Sequence, residues 1–412
     1  MYRSRAFLIV AVAACLWSLG AHRAAAQQPA VVPAPDVLQG DGRVSSFYTW
    51  TGPVPPKPGV MLRTEPLPAV LGLPQAAFEE RVLYTSTDGV RGAGQTVVSG
   101  ALFEPKGAPP RGGWPVVAWA HGTVGVADIC APSWAERSYR DIAYLDAWLA
   151  RGFAVVATDY AGLGTPGGHP YLNARSEAYG VLDSVRAALA ADPRLANTVI
   201  VVGQSQGAGA AFATAAFAPA YAPDVHVRGT VATGVPYFGP NAPAAKSDPT
   251  RVDPGIAYVF YATLAAQQVN PSLDPATVFT PAALPLFEVS RSACIYMLEQ
   301  DVTLQKLTDA TAYLPGLRAV LGSLAGGLVY PTLALKAPIF IGTGTADTDV
   351  DPAVQRKLVK DACAAGTIVE AHEYLGLDHS ETVNASLRDS LPFVAKVLAG
   401  TPIVPVCSPV PK

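Results

Sequence analysis

Gly203-Gln204-Ser205-Gln206-Gly207 sets one hydroxyl between an unbroken apolar run, TVIVVG, and an alanine-rich run, AGAAFATAAF. The first run predicts a strand and the second a helix. G-x-S-x-G in that setting is a nucleophile elbow. Its glycines let strand and helix cross closely, and its serine is held in a strained pose with the hydroxyl exposed. The helix N-terminus adds unpaired N–H groups and a positive dipole end, where an oxyanion is stabilised. The structural alternative is a tight turn whose serine merely caps the helix.

A serine hydroxyl needs a base to take its proton. Of six histidines, His22 falls in a leader segment, His121 in a loop after a strand, His169 in a Gly/Pro loop and His226 before a strand. On a sheet carrying such an elbow the chain order is serine, acid, histidine. His372 and His379 come late enough. His372 sits inside the predicted strand VEAHEY, whereas His379, in YLGLDHSE, lies in the loop before the last helix and is the expected base. The acid should follow the strand APIFIGT, where GTADTDVDP offers three aspartates. Asp351 precedes Pro352 and reads as a helix N-cap. Asp347 is nearest the strand end and is the expected acid, with Asp349 as the alternative. An ionised carboxylate there fixes the imidazole tautomer and stabilises the imidazolium. The expected oxyanion donors are the amides of Gln206, after the nucleophile, and Thr123, in AWAHGTVG, where Gly122 permits close backbone approach. His121 reads as a residue that organises this loop.

These residues need a sheet to hold them. Strands are predicted at RVLYTST, TVVSGALFEP, WPVVAWA, FAVVATDY, TVIVVG, GTVATGV, APIFIGT and TIVEAHEY. Helices are predicted at about 141–151, 176–191, 206–217 and 352–364, and after His379. Short apolar strands alternating with amphipathic helices imply a mostly parallel sheet covered on both faces. Residues 27–78, rich in Pro and Ala, read as an irregular arm. The core is then expected over 79–236 and 334–412. Between them, residues 237–333 form a mainly helical insertion placed as a cap, including GIAYVFYATLAAQQV and LPGLRAVLGSLAGGL.

The chain of 412 residues has 15% charged side chains and a net charge of −3, with no basic patch for nucleic acid. Arg3 and Arg5 precede an apolar stretch over 6–19, followed by AHRAAAQQ. This is the layout of a secretory signal over 1–26, cleaved after Ala26; a lipoprotein site at Cys15 is the lesser alternative. Cys130, Cys294, Cys363 and Cys407 then remain, an even number in an oxidising compartment, and three pairings are open. No C-x-x-C spacing suggests a metal.

Together, WAHGTVGVADICAPS, ATDYAGLGTPGGHPYL, GVLDSVRAAL, GQSQGAGAA, GTADTDV and GLDHS resemble the secretory lipase family of α/β-hydrolases, over about residues 80–400. The first two blocks are far more specific than G-x-S-x-G. The resemblance implies a serine carboxylester hydrolase acting on acylglycerols and simpler esters, with a helical cap where the insertion falls. It implies disulfides Cys130–Cys294 and Cys363–Cys407. Fungal members differ from HGT at the first oxyanion loop, which bears on Thr123. The reaction needs no metal or organic cofactor. The expected partners are an ester or lipid substrate and a transient lipid interface; no obligate protein partner is evident. A peptidase or amidase on the same fold, or a non-catalytic exported binding protein, would be the other readings.

Overall fold

The computed structural model describes residues 44–239, 242–243 and 248–411. The expected leader, with its cleavage site and Cys15, and the first part of the arm lie outside the described residues. In chain order the elements are β1 (Met61–Pro66), β2 (Ala76–Thr87), β3 (Gln95–Pro105), β4 (Trp114–Ala120), α1 (Tyr139–Leu149), β5 (Ala154–Ala161), α2 (Ala174–Ala191), β6 (Leu195–Gln204), α3 (Gln206–Tyr221) and β7 (Val227–Thr233). There follow α4 (Ile256–Val269), α5 (Leu284–Ser290), α6 (Ile295–Leu304), α7 (Asp309–Ala312), α8 (Leu317–Leu324), β8 (Ile339–Gly344), α9 (Pro352–Ala364), β9 (Val369–Tyr374), α10 (Glu381–Ala385) and α11 (Leu387–Leu398).

The strands form one sheet in the order β1-β2-β3-β5-β4-β6-β7-β8-β9. β1, β2, β3 and β5 pair antiparallel, and every pairing from β5 through β4 to β9 is parallel. The parallel part is buried on both faces. In β4, Val117 and Trp119 join one core with Tyr144, Leu145 and Trp148 of α1 and Phe393 of α11. Val116 and Ala118 join another with Val181, Leu182 and Val185 of α2 and Ala210 and Ala211 of α3. Each buried Val, Leu or Phe among them contributes roughly 1.5–3 kcal/mol of transfer free energy. That two-sided burial is why these strands read as continuous apolar runs instead of alternating ones.

Local signals set the helix starts. Ser138 accepts from the Asp141 amide, Asn173 from Ser176, and Asp351 from Ala353 with Pro352 as the first helical residue. Two expectations differ from the structure. The supposedly irregular arm contains β1, an edge strand pairing with β2 through Thr64 and Val82. Its terminal Pro66 is tolerated because an edge strand has a side without ladder bonds. The single last helix is two, α10 and α11, meeting at Ser386. The Ser386 hydroxyl donates to the Val383 carbonyl, a local bond that competes with the helical ladder.

Between β7 and β8 the five helices α4–α8 gather a core of their own, with Phe260, Phe279, Phe287, Leu298 and Val320 fully buried. Val126 and Tyr171 of the sheet-bearing body belong to the same cluster. Disulfides join Cys130 to Cys294 and Cys363 to Cys407, the two pairings that the family resemblance implied. The first ties the loop after β4 to the start of α6; the second ties α9 to the C-terminal segment.

Candidate active site

Ser205 sits between β6 and α3 with φ 58° and ψ −124°, a left-handed pose for a residue bearing a side chain. Such a conformation costs on the order of 1–3 kcal/mol and persists where its surroundings impose it. Here the constraint is visible. The Ser205 amide donates to the Thr233 carbonyl at 2.9 Å, and its own carbonyl accepts from Ala208 and Gly209. A Cβ on Gly203 would stand 2.0 Å from the Gly207 carbonyl oxygen, and one on Gly207 would stand 1.9 Å from that of Ala120. Both glycines are therefore required by backbone crossing at the turn. The Ser205 side chain makes no capping hydrogen bond to α3. The capping alternative thus has no support, and the hydroxyl is left for other work.

His379 follows β9 in a loop that crosses the end of β8. The crossing needs Gly344, whose Cβ would meet the carbonyls of Leu377 and Asp378 at 2.5 and 2.7 Å. The Asp378 carboxylate accepts from the Ser380 and Glu381 amides and stiffens the turn. His379 Nδ1 donates to Asp347 Oδ2 at 2.8 Å, and both side chains are buried. Asp347 Oδ1 accepts from the amides of Asp349 and Val350, while Oδ2 also accepts from Gln355 Nε2 of α9. Four donors thus point at one carboxylate and fix its orientation toward the imidazole. With the proton on Nδ1, the lone pair falls on Nε2, a buried atom with no hydrogen-bond partner among the described residues. The ring lies against Gly234, where a Cβ would stand 2.5 Å from Cε1. Gly234 directly follows Thr233, the acceptor of the Ser205 amide, so the end of β7 borders both the elbow and the imidazole.

Asp349 is exposed and takes no hydrogen bond from His379. Asp351 caps α9. His372 lies in β9, stacked on Phe340 and bonded to Glu370. His121 is buried; its Nδ1 donates to the Gly122 carbonyl, and burial lowers its pKa. Tyr160 donates to the His121 carbonyl at 2.9 Å. The ring is an internal support of the loop after β4, as its sequence position suggested.

Thr123 and Gln206 both border this site. Neither main-chain N–H has a partner among the described residues, as an oxyanion pair requires. Gly122 is again a steric necessity, because its Cβ would stand 2.2 Å from Gln204 Oε1. That amide oxygen accepts from Arg140, which also reaches the Ser380 hydroxyl beside His379. Sequence reasoning missed Arg140, Gln355, Glu177 and the side chain of Gln206. Glu177 is fully enclosed, and burial pushes its carboxyl up to about 8. His169, equally enclosed, is pulled down to about 4 by the same cause. Among the described residues no group of three or more His, Cys, Asp or Glu gathers as a metal site, and no helix is long and apolar enough to cross a membrane.

The strand order, the elbow after β6 and the Asp347-bearing loop after β8 define an α/β-hydrolase fold. Residues 138–250 match the family model of the secretory lipases, in agreement with the resemblance carried by the motifs. Among solved structures, lipase A of Candida antarctica superposes with a TM-score of 0.69 at 19% identity, covering 89% of each chain. The rice cell wall degrading esterase LipA of Xanthomonas oryzae gives 0.65 at 21%, covering 84% of this chain and all of its own. A putative hydrolase of Legionella pneumophila gives 0.63 at 16%, covering 82% and 98%. No curated protein matches by sequence.

Proposed function

We propose that this chain is an exported serine carboxylester hydrolase, a lipase or esterase, working through an acyl-enzyme on Ser205. The observation that carries the reading is the buried Asp347–His379 pair, which leaves Nε2 without a partner among the described residues on a ring packed against Gly234, the residue after the Thr233 carbonyl that accepts from the Ser205 amide. His379 takes the hydroxyl proton as Ser205 Oγ attacks the ester carbonyl. The negative charge that develops on the carbonyl oxygen is held by the Gln206 and Thr123 amides. Asp347 stabilises the imidazolium, which then protonates the leaving alcohol. Water, activated by the same imidazole, attacks the acyl-enzyme, and the acid leaves with Ser205 regenerated.

The match to the secretory lipase model supports ester chemistry over amide chemistry, and the two disulfides support an oxidising destination after removal of residues 1–26. Helices α4–α8 serve as the cap over the site and set which acyl chains enter.

Turnover of p-nitrophenyl esters of rising chain length, run beside aminoacyl-nitroanilides, tests the reading. Ester turnover lost in Ser205→Ala, with fluorophosphonate labelling of Ser205 in the unaltered chain, is the expected result. Dominant amide turnover would make the protein a peptidase or amidase. Absence of both turnover and labelling would make it a binding protein.

A further inference from the structure

One short loop touches both halves of the oxyanion hole. Loop 169–172 follows β5 and leads into α2. At its start, His169 Nδ1 donates to the Ala161 carbonyl at 2.9 Å. The burial that keeps this imidazole neutral leaves Nε2 as an acceptor. Gln206 Nε2 lies 3.0 Å from it and donates one hydrogen there; it donates the other to Glu177 Oε1 at 2.8 Å. Both hydrogens of the Gln206 amide group are therefore committed to fixed partners. Two residues further on, the Tyr171 hydroxyl is 2.8 Å from Thr123 Oγ1.

The loop itself is held from two sides. Leu172, at φ 61°, adopts a left-handed pose and donates its amide to the same Glu177 Oε1 at 3.0 Å. From the cap side, Gln268 of α4 donates to the His169 carbonyl, and the Ala174 amide donates to the Gly327 carbonyl. The segment is thus an inflexible bracket between the helix carrying Glu177, the cap and the two donor residues.

We propose that loop 169–172 positions the oxyanion hole, His169 setting Gln206 from one side and Tyr171 setting Thr123 from the other, with Glu177 as the brace that holds loop and Gln206 together. This rests on the reading of Ser205 as nucleophile. None of these side chains touches substrate; they are positioning residues for two main-chain amides. An amide displaced by a fraction of an ångström still meets the ground-state carbonyl, but it meets the tetrahedral oxyanion poorly. Loss of the bracket should therefore appear in kcat and spare KM.

The test uses the full secreted chain with Tyr171→Phe and Gln206→Met, both close in shape to the originals, and the pair Glu177→Leu and Glu177→Gln. Active sites are counted with a fluorophosphonate, so that rates are per functional serine. With p-nitrophenyl butyrate, Tyr171→Phe and Gln206→Met should each lower kcat about 10- to 100-fold with KM within about threefold, below the full loss of an oxyanion donor. Inhibition by an alkyl boronic acid, whose adduct places an oxygen in the hole, should weaken in parallel with kcat. Glu177→Gln, which keeps the acceptor oxygen, should recover most of what Glu177→Leu loses. The proposal is overturned if both near-isosteric variants keep kcat per site within about twofold of the parent, whether or not the melting temperature falls, while Ser205→Ala is inactive. Full activity in Ser205→Ala would instead overturn the underlying reading.

Discussion

Replacing Asp347 by asparagine keeps the shape of the acid and reverses the character of one atom. Asp347 Oδ1 is claimed by two main-chain amides, those of Asp349 and Val350. An asparagine at 347 must therefore leave its carbonyl oxygen on that side and turn its NH₂ toward His379 Nδ1 and Gln355 Nε2. A donor then faces two donors. The imidazole can escape by moving its proton to Nε2 and accepting from the asparagine through Nδ1. That tautomer cannot take the proton of Ser205. The opposite orientation restores the acceptor for His379 but breaks two part-buried bonds from main-chain amides, each loss costing on the order of 1 kcal/mol. The wrong tautomer therefore dominates, and kcat should fall about 10⁴-fold, roughly 5.4 kcal/mol of transition-state stabilisation. The assay is hydrolysis of p-nitrophenyl butyrate per active site titrated with a fluorophosphonate, with the melting temperature as a check on folding. Asp349→Asn, at an exposed carboxylate that takes no hydrogen bond from His379, should stay within about tenfold of the parent. The tautomer argument is refuted if Asp347→Asn retains more than about a tenth of the parental rate, or if Asp349→Asn is the variant that collapses.

Four further outcomes follow from the structure. Gly207→Ala drives a methyl group to 1.9 Å from the Ala120 carbonyl oxygen; because both atoms belong to packed backbone, activity and folding yield should fall together. Gly234→Ala puts its methyl 2.5 Å from His379 Cε1, at a φ of 66°, and should lower kcat well before it lowers yield; a fully active variant would show that the ring does not need that space. Serine replacement of Cys130 with Cys294 should cost more thermal stability than replacement of Cys363 with Cys407, because the closed loops span 164 and 44 residues. Chain entropy puts the losses at about 5 and about 4 kcal/mol, and a reversed order in differential scanning would contradict this. Glu177, raised to about 8 in the fold, retains a proton that the unfolded chain releases near the ordinary glutamate value of about 4.3. Stability from this group is complete below that value and is lost as pH rises through about 8. His169, lowered to about 4, gives the opposite limb: its contribution is present above the ordinary histidine range and lost as pH falls through about 4. Glu177→Gln should flatten the alkaline limb of a melting-temperature profile and leave the acid limb.

Most of the sheet was legible because a parallel strand buried on both faces prints itself as an uninterrupted apolar run, as in TVIVVG and WPVVAWA. β1 was not, because at the sheet edge MLRTEP has no buried apolar run and ends on Pro66, in a segment whose prolines mimic a loop. Ser205, Asp347 and His379 could be nominated because chain order and strand-end position are one-dimensional signals. The partners that tune them carry no such signal. Gln355 reaches Asp347 from a helix face whose rotation no local pattern reveals, and Arg140 joins the two Gln-rich and His-bearing loops across 64 and 240 positions of chain. The block ending in GGHPYL marked the family resemblance without disclosing a task for His169 or Tyr171, since each acts on a residue far away in sequence. Gln206 was chosen for its amide alone, a property every residue but proline shares. Its side chain turns out to be the part of that position that sequence identity can specify. A hydrophobic residue there would keep the N–H and lose both bonds to His169 and Glu177. If the proposed bracket holds the Gln206 amide in place, it accounts for glutamine after Ser205, whereas the amide itself would accept almost any residue.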